Sequence, residues 1–143
     1  MLFSQMTGRI VVDPDTAETT AKVTGVRIAP SPPHITHITA LTVDADGRQR
    51  RLPWPDIHAI GPDAVIAKLT AVPAPPSTVV ETDPVGKVLL TETGRQLGIV
   101  QDGEFDEADG HLIRILTAGT AVDGQELLGA GHYAVVVAPV HHL

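Results

Sequence analysis

Proline and glycine recur so often along this chain that long helices are excluded: 12 Pro and 13 Gly interrupt a sequence of 143 residues. Proline lacks the backbone donor a helix interior requires, and glycine is costly there. The stretches between these breakers are short and β-branched. Ile10–Val12, Val23–Ile28, Ile35–Val43 and Ala64–Leu69 have strand length and are bounded by Gly, Pro or Asp. Val85–Thr91, Gln96–Val100, His111–Leu116, Glu126–Leu128 and Ala134–Val137 repeat that grammar downstream. Asp44-Ala45-Asp46-Gly47 and Glu92-Thr93-Gly94-Arg95 read as hairpin turns. The only aromatic residues are Phe3, Trp54, Phe105 and Tyr133, so the core must be aliphatic, which suits small β-barrels. The expected fold is all-β, with at most a short helical turn near Trp54–Ile60.

Between the two groups of strands lies Val72-Pro73-Ala74-Pro75-Pro76-Ser77, whose prolines favour an extended, semi-rigid linker. The expected organisation is a first domain over 1–71, a linker over 72–78 and a second domain over 79–143. The halves resemble each other. Gly8-Arg9-Ile10-Val11-Val12 returns as Gly86-Lys87-Val88-Leu89-Leu90, and Ala64-Val65-Ile66-Ala67 as Ala134-Val135-Val136-Val137. The first pair is offset by 78 residues and the second by 70, so an internal duplication requires a longer middle in the first copy.

Charge divides the chain in the same place. Residues 1–70 carry seven basic and seven acidic groups, whereas residues 78–143 carry three basic against ten acidic, so the whole net charge of −7 belongs to the second half. Such a surface argues against direct nucleic-acid binding, which needs a basic stripe to displace counterions from phosphates. The absence of Cys removes disulfides, thiolate metal sites and Cys nucleophiles together, and gives no support for an oxidising compartment. No run approaches the roughly 20 apolar residues of a membrane span, and the first residues have no basic-then-apolar leader pattern. A soluble cytosolic protein is expected.

The chemistry-bearing residues are few. Seven histidines invite a metal reading, but His34 and His37 at i,i+3 point to opposite faces of a strand, and His141-His142 is adjacent in a terminal tail. No metal site is expected, and no cofactor. Glu104-Phe105-Asp106-Glu107-Ala108-Asp109-Gly110 lacks the spacing of a calcium loop and reads as an exposed turn between strands. Ser4, Ser31 and Ser77 stand in no nucleophile elbow, and no glycine-rich phosphate loop occurs. No catalytic residue is expected. Arg48-Gln49-Arg50-Arg51 is the sole cationic cluster, with Arg48 and Arg50 on one strand face as a solvated edge that blocks strand addition. Trp54, between Pro53 and Pro55, would be the largest apolar side chain of an aromatic-poor core, or a contact hot spot if partly exposed.

Several of these pieces together resemble one family. The Gly-Arg-Ile-Val-Val opening, the strand ending Leu41-Thr42-Val43-Asp44, the corner Leu52-Pro53-Trp54-Pro55-Asp56-Ile57 and the run Ile60-Gly61-Pro62-Asp63-Ala64-Val65-Ile66 are similar to the PRC-barrel domain. That small β-barrel is named after the cytoplasmic domain of the photosynthetic reaction-centre H subunit. The resemblance covers about residues 2–70. Residues 79–140 resemble a second, degenerate copy in which Leu128-Gly129-Ala130-Gly131-His132-Tyr133 stands where the Pro-Trp corner would be. The resemblance implies two tandem PRC-type barrels and an assembly role without shared catalytic motif: the family occurs in the reaction centre, a ribosome-maturation factor, archaeal division proteins and actinobacterial transporter-like proteins. The expected function is a non-enzymatic protein-interaction module with a protein partner. The alternatives are an adaptor at the cytoplasmic face of a membrane protein and, less favoured by the acidic second half, RNA processing. Glu104, Asp106, Glu107 and Asp109 are the candidate docking patch for a basic partner, with Arg48, Arg50 and Trp54 as the second candidate edge. Because each half is too small for a large core, a homo-oligomer is expected.

Overall fold

The computed structural model describes residues 1–30, 36–69 and 81–138. The proline-rich linker and the histidines His34, His141 and His142 lie outside the described residues. A single helical turn, α1 (Phe3–Met6), opens the chain and buries Phe3 and Met6. The first half then forms β1 (Ile10–Val12), β2 (Thr19–Ile28), β3 (Ile38–Ala45), β4 (Arg48–Pro53), a 3-10 turn (Trp54–Asp56), β5 (Ile57–Ile60) and β6 (Ala64–Ala67). These strands make one six-stranded sheet in the order β4-β3-β2-β1-β6-β5.

That order forces the sheet to curl. β4 and β5 are its opposite edges, yet only the 3-10 turn separates them. The chain from Pro53 to Ile57 reaches at most about 15 Å, whereas the edges of a flat six-stranded sheet stand about 24 Å apart. The Pro53-Trp54-Pro55 corner therefore draws the two edges together into an open half-barrel.

The second half contains β7 (Val88–Thr91), β8 (Gln96–Ile99), β9 (Asp102–Phe105), β10 (Leu112–Leu116), β11 (Ala121–Asp123), a second 3-10 turn (Gly124–Glu126), β12 (Leu127–Ala130) and β13 (Ala134–Val137). They form two sheets, β11-β10-β9 and β12-β13-β7-β8. Joined at the short Val100-Gln101 break, these would read in the same order as the first half, with the long second strand split into β8 and β9. The duplication seen in the sequence is thus repeated in the connectivity. Ile10 pairs with Ala64 in the parallel ladder β1–β6, and Val88 with Ala134 in β7–β13, the two short matches now side by side in each copy. The Gly8 N–H bonds the Val23 carbonyl and the Gly86 N–H bonds that of Val100 at 2.8 Å each, both glycines having positive φ. The first copy is longer in the β1–β2 turn, in the β2–β3 connection and in the β3–β4 hairpin, which together reconcile the two offsets.

Residues from both halves share one apolar core, in which Val11, Leu41, Val43 and Val65 of the first half join Leu89, Phe105, Ile115 and Val135 of the second. The structure differs from expectation in detail. β5, β9 and β11 are strands that β-branched runs did not announce, and a helical turn exists at α1 and at Gly124–Glu126 as well as at Trp54–Asp56.

Candidate functional site

The halves meet through reciprocal main-chain bonds between equivalent residues. Ile28 pairs with Ile38 within the first half and Phe105 with Leu112 within the second, so Ile28 and Phe105 correspond, as do Ile38 and Leu112. Each of the first two takes a segment from the other half: Ile28 exchanges both backbone bonds with Thr82 at 2.9 Å, and Phe105 exchanges both with Met1 at 2.8 Å. Between these exchanges, the Ile38 N–H donates to Gly110 and the Leu112 N–H to Thr36. These two bonds flank the antiparallel bridge between His37 and His111, which are equivalent residues facing each other. Such an arrangement is isologous, the contact of two copies around a local two-fold.

Beside this axis lies the corner that brings two of the sequence candidates together. Trp54 is half-buried and leaves its own half to pack edge-on against Phe105, with ring centroids 6.2 Å apart. Gly110 lies under the indole, where a Cβ would stand 2.8 Å from the ring, and its φ of 79° is one that glycine adopts freely. Phe105 and Gly110 bracket the acidic turn, so Trp54 and residues 106–109 share one corner. Glu107 and Asp109 are exposed and Asp106 half-buried. The Asp106 carboxylate accepts the Ala108 N–H at 2.8 Å, and Asp109 accepts the His111 N–H at 3.0 Å. The Asp109 carboxylate also lies 2.7 Å from His111 Nδ1. The backbone donor at His111, then its ring, hold the Asp109 carboxyl below the ordinary carboxylate range.

The other candidates lie elsewhere. Glu104 belongs to β9 and is neutralised by Arg114 at 2.9 Å, so it contributes little to the exposed turn. Arg48 pairs with Ala45 at the hairpin end of β4, the opposite end from Trp54. Arg50 follows on that strand, and β4 is an edge of its sheet, as a basic strand-blocking edge requires. Arg51 departs from a solvated role. It forms a junction with Glu81, Arg27 and Thr39 that sequence reasoning did not single out, in which the carboxylate is nearly buried and the two guanidinium groups are partly exposed. Glu81, only 7% exposed, accepts from Arg51 and from Thr39 Oγ1 at 2.6 Å, with Arg27 at 3.5 Å. Burial acts most strongly on this carboxyl and pushes its pKa up, but the bonds from Arg51 and Thr39 and the two guanidinium charges together outweigh it and hold it below the usual range. No local pattern announces this group, because its members come from β2, β3, β4 and the segment before Asp83.

Arg27, Glu81 and Asp83 also line a polar cleft of about 430 Å³ with Thr42, Lys87 and His132. Asp83 sits against Gly25, and burial raises its carboxyl above the ordinary value. The chain has no cysteine, and among the described residues no helix is long and apolar enough to cross a membrane. No protein-family model matches the chain, and no curated protein sequence matches it.

Proposed function

We propose that this chain is a non-enzymatic assembly module of the PRC-barrel type that receives a basic segment of a protein partner at the Trp54 corner. The observation that carries the reading is the convergence of a half-buried tryptophan from one half with the acidic turn of the other. An indole beside two proline rings supplies desolvated contact area, and exposed Glu107 and Asp109 supply steering charge. The curled, open six-stranded sheet, whose edges the Pro-Trp corner draws toward each other, supports the family resemblance of residues 2–70. Self-association through exposed strand edges belongs to the same reading; sedimentation that gives only monomer at high micromolar concentration removes that part.

The test is capture with in-cell crosslinking, comparing the wild type with Asp106→Asn/Glu107→Gln/Asp109→Asn and, separately, Arg48→Gln/Arg50→Gln. The expected result is that crosslinks from a basic partner segment map to residues 104–110 and Trp54, fall several-fold on neutralising the turn, and weaken with salt. Equal recovery from the neutralised turn at low and high salt rejects this corner, and loss confined to the arginine variant moves docking to β4.

A further inference from the structure

We propose that His37, Asp106, Asp109 and His111 form a binding site for a divalent transition-metal ion of the zinc type, built from the acidic turn of the second half beside the His37–His111 bridge. His37 and His111 are directly opposite on two antiparallel strands, and the hydrogen bonds lie on the neighbouring residues. In such a pair the side chains stand closest and leave on the same face. Their rings meet edge to face with centroids 6.5 Å apart. One carboxylate oxygen from each of Asp106 and Asp109 and one ring nitrogen of His111 all lie within 4.8 Å of one another. Tetrahedral bonds of about 2.0–2.2 Å put the donor atoms of one ion about 3.4 Å apart, so these three side chains must rotate inward, and His37, which stands outside that group, must turn its ring toward them to join as the fourth ligand. The half-exposed side chains of His111 (32%) and Asp109 (60%) leave room for it.

Donor chemistry selects the ion. Calcium and magnesium prefer all-oxygen shells and soft ions prefer thiolates, whereas two imidazoles with two carboxylates suit zinc and its neighbours. The Asp109 carboxylate lies 2.7 Å from His111 Nδ1, so Nδ1 is the ring nitrogen beside the carboxylates and the one that would share the ion with them. The sequence hid this grouping because it suggests pairing His37 with His34 along the chain, while the register pairs it with a residue 74 positions away. The inference does not depend on the docking reading, since binding is measured on the isolated chain with no partner present.

The experiment is calorimetric titration of the chelator-stripped, desalted protein with Zn²⁺, alongside Co²⁺ absorption as a report of coordination. One equivalent per chain is expected, with a rise in melting temperature on the order of 5 °C at saturating zinc. Asp109→Asn, His111→Ala and His37→Ala should each weaken uptake by at least about tenfold. These side chains are at the surface of the junction, and unchanged circular dichroism of each variant establishes that the fold persists. The double variant His141→Ala/His142→Ala should bind as the wild type does. Three results overturn the proposal: no uptake of Zn²⁺ or Co²⁺, uptake that survives the three junction variants and disappears with the tail variant, or calcium bound as tightly as zinc. The first of these would leave the Asp109–His111 contact as a hydrogen bond within the turn.

Discussion

Glu81 ties the two halves together as a nearly buried carboxylate answering two guanidinium groups of the opposite half. Glu81→Gln keeps the shape and removes the charge. Arg27 and Arg51 are about a third exposed and can turn to water, so the expected cost is about 2 kcal/mol, below the 3–5 of a fully enclosed pair. Chemical denaturation measures it. The pH dependence has a definite sign. The carboxyl is held below its unfolded value, so its contribution is complete above about pH 4.3 and is lost as pH falls through the lower folded value. Asp83 works in the opposite direction: its raised pKa favours the folded protein below the unfolded value and loses that contribution as pH rises through the folded one. Glu81→Gln should therefore flatten the acid limb of a stability profile, and Asp83→Asn should steepen it. An unchanged acid limb in both variants would mean that other carboxylates govern acid unfolding. At the Trp54 corner, Gly110→Ala places a methyl 2.8 Å from the indole at a φ of 79°, so a loss of roughly 1–3 kcal/mol with altered Trp54 fluorescence is expected.

The second strand is where the two copies diverge as elements. β2 runs unbroken for ten residues and pairs with β1 on one side and β3 on the other, whereas its counterpart is cut into β8 and β9 of four residues each. β8 is also a sheet edge. Hydrogen exchange should find the β2 and β3 amides slowest and the β8 amides at least about tenfold faster. Equal protection across both copies would show that the break at Val100-Gln101 does not weaken the sheet. The same contrast explains which elements were legible. β1, β6, β7 and β13 are aliphatic runs, legible as strands because their side chains fill the core, although β7 begins at Val88 and not at Val85. β9 reads Asp-Gly-Glu-Phe; its burial alternates as a strand should, but one inward position is Gly103, whose missing side chain is replaced by the ring of Phe3 from the first residues of the chain. No local periodicity reveals a strand completed by a distant aromatic. β4 is legible from its Asp-Gly hairpin turn and from the alternation of its arginines, the composition of a solvated edge strand. At the site, Trp54 and the acidic turn were each visible in the sequence. Their meeting was not, because it is made by tertiary contact between residues more than fifty positions apart.

At the scale of the molecule, the exchange of segments decides how the halves depend on each other. Met1 and Leu2 pair with β9 of the second half, and Phe3 stacks on Phe105 with centroids 5.9 Å apart. In return Thr82 completes β2 of the first half. Neither half carries its own closing segment, and the core is one cluster that draws on both. Two separable barrels would unfold in two steps; a core assembled by exchange should unfold in one. We predict coincident thermal transitions by Trp54 fluorescence, which reports the junction, and by far-UV circular dichroism, which reports strands throughout. Deleting residues 1–6 extends the test. It removes Phe3 and Met6, which are 2% and 0% exposed, and a buried Phe alone is worth about 3–5 kcal/mol. The damage should appear far along the chain, as faster exchange of the Phe105 amide and of β9 and β10, because that is where the segment docks. If the truncated chain instead loses protection only in β1 and β2, or if fluorescence and circular dichroism separate into two transitions, the halves are independent folding units and the exchanged segments are ornament on two complete cores.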